Sequence, residues 1–97
     1  MNSKIINETL ERAVEVYGKS AQIDMIQEEC IELSHAICKL RRKRGDSDKK
    51  IDNLIDELAD VKIMMMQADI IFKEYKNDID ERIDFKINRL IKRMNDK

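Results

Sequence analysis

Apolar side chains recur over residues 20–43 at Ile23, Ile26, Cys30, Leu33, Ile37 and Leu40, in alternating steps of three and four. Leu54, Leu58, Val61, Met65, Ala68 and Phe72 repeat that rhythm over about 51–76. At about 100° per residue such steps keep every apolar group on one side, so each run predicts a helix with one buried face. A sparser stripe of Ile6, Leu10, Ala13 and Tyr17 predicts a helix over about 3–17. Ile83, Ile87, Leu90 and Met94 predict another over about 78–95. The punctuation agrees. Gly18 ends the first segment, Ser20 is a candidate N-cap for the second, Gly45 stops it, and Asn77 or Asp78 opens the fourth. The stretch GDSDKK is the one clear linker.

The third segment is apolar on other sides as well, at Ile55, Ile63, Met64, Met66, Ile70 and Ile71. A helix that is greasy on most sides is normally covered on most sides. A chain of 97 residues buries only about 60–65 % of its unfolded surface. The expected architecture is therefore all-α: a four-helix bundle forming a single domain over residues 1–97, completed by oligomerisation as a dimer or tetramer. The absence of proline, with only two glycines among abundant Leu, Ile, Met, Glu, Lys and Arg, fits that class. Met64 to Met66 read as packing material.

Charge adds little at the level of the whole chain. Nineteen basic residues against 20 acidic ones give no general drive towards nucleic acid or an anionic membrane. The run KLRRKRGDSDKK has no aromatic residue, closes a helix whose negative end attracts cations, and passes straight into acids, so it is not assigned to nucleic acid. The opening residues lack the apolar run of a secretory signal, and no stretch approaches the roughly 20 residues of a membrane span, which predicts a cytoplasmic protein. Cys30 and Cys38, eight apart on one helix, are expected to be reduced, packed thiols with neither a bridge between them nor a zinc site around them.

Local charge patterning is more informative. IQEECIEL at 26–33 and LIDELADV at 54–61 match class by class: apolar, variable, acid, acid, apolar, variable, acid, apolar. On each helix the two acids of the pairs Glu29/Glu32 and Glu57/Asp60 lie about 60° apart beside the apolar stripe. Helices joined by a short loop run antiparallel, which would bring the two acidic edges together in one groove. The plainer reading is a pair of solvated faces held by local ion pairs. Against it, no lysine or arginine stands three or four residues from Glu29, Glu32, Glu57 or Asp60, whereas Glu8/Arg12, Glu15/Lys19, Asp69/Lys73 and Asp78/Arg82 have that spacing elsewhere. Clustered carboxylates without basic partners need cations, and oxygen ligands without His or Cys suit Mg²⁺ or Mn²⁺, with positions left for water and phosphate.

Glu29-x-x-Glu32, 24 residues, then Glu57-x-x-Asp60 resembles the signature of the all-α nucleoside triphosphate pyrophosphohydrolases, the MazG-like superfamily. EECIEL followed by NLIDELADVKIM is similar to its small single-domain members, over roughly residues 17–93. The resemblance implies Mg²⁺-dependent cleavage of a (d)NTP between the α and β phosphates. It also implies that Glu29, Glu32, Glu57 and Asp60 are the metal ligands. Glu28 and Glu29 are the implied catalytic acids, Glu28 as a further ligand or as the group that orients and deprotonates water, with Asp56 in support. Lys86, Arg89 and Arg93, at i, i+3 and i+7, resemble the downstream K-x-x-R element that family members use on phosphates, and Asn53 and Gln22 are weaker candidates for the sugar or base. The alternatives are a dUTPase-type or phosphoribosyl-ATP-type substrate, or a catalytically silent helical bundle acting as an interaction protein. His35, about 120° from Glu29, is assigned to the surface.

Overall fold

Two side-chain caps and one glycine lay out the chain, which the computed structural model describes over residues 1–97. The Asn2 side-chain oxygen accepts from the Ile5 amide at 2.9 Å and starts α1, Ser3–Tyr17. Gly18 adopts φ 91° and joins α1 directly to α2, Lys19–Leu40: its N–H donates to the Val14 carbonyl at 2.9 Å and its carbonyl accepts from Gln22 at 3.2 Å. Nothing crowds this position, so positive φ alone selects glycine. Helix α3, Ser47–Ile71, starts at Asp46, whose carboxylate accepts from the amides of Asp48 and Lys49 at 2.9 and 3.3 Å. A single 3-10 turn, Lys73–Tyr75, leads from α3 into α4, Lys76–Asn95.

Four helices and no strand make this an all-α fold, with element boundaries displaced from those the sequence predicts. The cap of α2 is Gly18 rather than Ser20, and α2 stops at Leu40 instead of about 43, ahead of four consecutive cations. Gly45 lies in the following loop, not at the helix end. Asp46 caps earlier than expected, so four of the six residues of the anticipated GDSDKK linker are helical. Lys50 closes the loop by donating from Nζ to the Arg42 carbonyl at 2.7 Å. The third helix ends at Ile71 rather than about 76, where Phe72 leaves helical geometry.

The pairing of α2 with α3 is the principal interface, and α1 packs on both. Its orientation differs from the one the apolar stripes predict. The buried and half-buried positions of α2 are Gln22, Ile23, Ile26, Glu29, Leu33 and Ala36; on α3 they are Lys50, Leu54, Glu57, Val61, Met64, Gln67, Ala68, Ile70 and Ile71. The face turned inward is thus rotated from the stripe by about 30° on α2 and about 70° on α3. Cys30, Ile37, Leu58 and Met65 are left exposed, and Glu29 and Glu57 enter the seam. Both cysteines are free, as expected, but neither is packed.

Where α1, α2 and α3 meet, the centre is polar. Gln67, 0 % exposed, donates from Nε2 to the Leu10 carbonyl at 3.1 Å and to Gln22 Oε1 at 2.9 Å. Leu10, Ala36 and Ile71 are the buried apolar residues. Tyr17, expected on the α1 stripe, is 69 % exposed. None of the four i,i+4 pairs singled out by spacing forms an ion pair; Lys4–Glu8 at 4.0 Å and Lys76–Asp80 at 2.7 Å do. Such exposed pairs contribute little in any register.

Helix α4 does not join this three-helix unit. It packs on the turn that precedes it and buries no residue, so Ile83, Ile87, Leu90 and Met94 stay solvent-exposed, and the four-helix bundle is not closed within one chain. The accessible surface, 8298 Å², exceeds the about 5,800 Å² expected of a compact monomer of this mass. The radius of gyration, 16.9 Å, exceeds the about 12.5 Å expected for the length. No helix is long and apolar enough to cross a membrane.

The glutamine junction yields a prediction. Gln67→Met strands Gln22 Oε1 in a buried setting and should destabilise the protein by about 1–3 kcal/mol. The double variant Gln22→Leu/Gln67→Met, apolar on both sides, should recover part of that loss. Urea denaturation at one fixed protein concentration checks both, and a double variant as unstable as the sum of the single changes would contradict the coupling.

Candidate metal centre

Glu29 occupies the middle of the inward face of α2, with Ile26 one turn before it and Leu33 and Ala36 beyond. Glu57 occupies the equivalent place on α3, between Leu54 and Val61, and Asp60 follows one turn on at the exposed rim. Because the helices pack face to face, carboxylate oxygens of Glu29, Glu57 and Asp60 come within 4.8 Å of one another. Two carboxylates about 4 Å apart repel by roughly 4 kcal/mol at an effective dielectric near 20. No lysine or arginine offsets this, since the ion pairs of the chain lie elsewhere.

Two consequences are visible. Burial holds the Glu29 carboxyl above its ordinary value of 4.5, and like-charge repulsion from Asp60 and then Glu57 adds to the shift, as does hydrogen bonding of the retained proton to these two groups. Glu57 carries the second: its Oε2 is fully buried and accepts no hydrogen bond. A buried charged oxygen without a partner is costly unless an ion or proton satisfies it. Three converging carboxylates, one of which carries an orphaned oxygen, with no His or Cys among them, suit an oxygen-seeking divalent cation.

The structure brings together three of the four residues proposed as ligands from the sequence. Glu32, exposed one turn beyond Glu29, lies outside the group. Glu28 faces another direction, lining a cavity of about 500 Å³ with Tyr17, Ala21, Gln22, Asp24 and Met25. Asp56 and Asn53 are exposed on α3, and His35 is exposed as expected. Gln22, expected to touch substrate, is buried and engaged through Oε1 by Gln67. Lys86, Arg89 and Arg93 are exposed on α4, which does not pack against its own α2, and Arg89 stacks over the Phe85 ring at 5.8 Å. Sequence reasoning missed Gln67; the one signal for it was a lone amide in the apolar run MMMQADII.

Comparison with known families adds an independent observation. The family model described as the MazG nucleotide pyrophosphohydrolase domain matches residues 17–97. Neither the curated proteins nor the solved structures gave a match.

The Glu29 shift carries a pH prediction. The folded state holds this proton more tightly than the unfolded state does, so the associated stability is full below about pH 4.5 and is lost as pH rises through the raised value. In chelator, Glu29→Gln should melt level with the wild type near pH 4 and gain on it steadily towards pH 7, by about 2–5 °C. Scanning calorimetry across that range reads the difference, and an offset that does not change with pH would contradict it.

Proposed function

The chain belongs to the MazG nucleotide pyrophosphohydrolase family, and from that premise we propose a Mg²⁺-dependent enzyme that cleaves a (d)NTP to (d)NMP and pyrophosphate in the upkeep of the cytoplasmic nucleotide pool. The observation carrying this reading is the convergence of Glu29, Glu57 and Asp60 with one buried, unpartnered oxygen on Glu57. Bare carboxylates repel a triphosphate, so productive approach requires a cation shared between the two sets of negative charge. Mg²⁺ bound there supplies charge neutralisation for the phosphates and a more acidic water, and Mn²⁺ meets the same requirement.

The protein groups divide the work. Glu29, Glu57 and Asp60 would hold the ion, with Glu32, one turn along α2, as a further ligand. Glu28, adjacent to Glu29 but outside the cluster, orients the attacking water and takes its proton, while Asp56 supports the α3 side. Lys86, Arg89 and Arg93 bind the phosphates. Since α4 does not pack on its own α2, these cations serve the cluster of a second copy, and the exposed apolar residues of α4 dock there. Asn53, one turn before Glu57, reaches the sugar. A homo-oligomer, dimer or tetramer, is therefore part of the reading. The about 2,500 Å² of surface beyond that of a compact monomer is of the size that stable subunit interfaces bury.

Pyrophosphate release from a panel of (d)NTPs, with and without Mg²⁺, tests the activity. Wild type should release pyrophosphate only with the metal. Asp60→Asn should lower kcat by at least about 100-fold while its circular dichroism and melting in chelator match or exceed wild type, because repulsion is relieved. No release from any nucleotide by folded wild type would overturn the reading.

A further inference from the structure

The cavity at the N-terminal end of α2 has a polar character that its neighbours fix. The Leu10 carbonyl can only accept, so the Gln67 atom 3.1 Å from it is the amide nitrogen. That nitrogen also donates to Gln22, which fixes the Gln22 atom at 2.9 Å as oxygen. The remaining Gln22 amide nitrogen is a donor that is neither hydrogen-bonded nor buried without a partner, on a residue that lines the cavity. Its orientation is thus set by a backbone carbonyl one helix away. Around it stand two acceptors, the carboxylates of Asp24 and Glu28, and the exposed ring of Tyr17.

Position links this cavity to the acids. Met25 lines it and lies one turn before Glu29, about 6 Å along the helix axis. Glu28, at the end of the cavity nearer the cluster, is the sequence neighbour of Glu29. A nucleotide whose phosphates shared a cation with Glu29, Glu57 and Asp60 would have its nucleoside about one helical turn from Met25, and about 500 Å³ is ample for a base.

We propose that the cavity lined by Tyr17, Ala21, Gln22, Asp24, Met25 and Glu28 is the nucleobase subsite, selecting bases that carry an exocyclic amino group over uracil and thymine. Tyr17 and Met25 cover the base faces, with the tyrosine ring as the stacking surface. The fixed Gln22 donor meets a ring nitrogen or carbonyl, and Asp24 accepts from the amino group. Uracil and thymine place carbonyl oxygens where the amino group belongs, opposite a carboxylate, and are repelled. The inference rests on the metal-centre reading for the placement of the phosphates.

Methyl NMR of the full chain with Mg²⁺, titrated with cytidine 5′-monophosphate and with uridine 5′-monophosphate, tests it without turnover. The Met25 methyl should shift with CMP while Met65 and Met66 stay put, and CMP should bind at least about tenfold more tightly than UMP. Asp24→Asn should reduce that preference to within about twofold, and Tyr17→Ala should weaken both nucleotides by a similar factor. An unmoved Met25, equal binding of the two nucleotides, or a Met25 shift that follows protein concentration alone would overturn the subsite. The two readings fail separately. Pyrophosphate release with a silent Met25 sinks the subsite alone, and a responsive Met25 with no release from any triphosphate sinks the hydrolase alone.

Discussion

Glu29 and Glu57 stand in the seam between α2 and α3, positions that a simple helix pair would fill with leucine or alanine, and Asp60 closes on them from the rim. Repulsion among the three pushes the helices apart, and the packing of Ile26, Leu33 and Ala36 against Leu54, Val61, Met64 and Ala68 holds them together. The raised Glu29 value and the unpartnered Glu57 oxygen are two signs of one imbalance. A cation bound there would remove it, and the energy stored in the seam would become affinity for the ion. The other features of the chain either position this seam or complete it.

Positioning comes from short, rigid connections. Gly18 turns the chain between α1 and α2 in one residue, and the loop 41–46 returns α3 along α2 under the Asp46 cap. The Gln67 junction then ties α1 to both helices through two hydrogen bonds instead of a large apolar core. Completion comes from elsewhere. With five residues buried and α4 unpacked, the single chain retains apolar surface on the outer flanks of α2 and α3 and along α4. The rotation that moves Glu29 and Glu57 inward moves Cys30, Ile37, Leu58 and Met65 outward. The acidic seam and an outer apolar face that invites a subunit partner thus arise from the same turn of the helices.

Much of this was legible in the sequence because it depends on period. The four helices, the matching acidic turns and the lack of basic partners follow from spacing alone. The rotation was not legible, because a stripe drawn through apolar residues puts Glu29 and Glu57 at its edge and not within the seam. Gln67 hid for a similar reason, being a single amide among methionines and isoleucines. Asp46 was read as linker although Asp-Ser-Asp after glycine is a capping sequence. The placement of α4 could not be read, since nothing within one chain covers its apolar stripe.

The most direct test of the central claim is anomalous diffraction from crystals of the full chain grown with Mn²⁺. The account predicts a manganese peak bounded by oxygens of Glu29, Glu57 and Asp60, with Glu57 Oε2 among the ligands. Fully ordered carboxylates at that seam with no peak between them at millimolar Mn²⁺, or a peak held only by other residues, would contradict it.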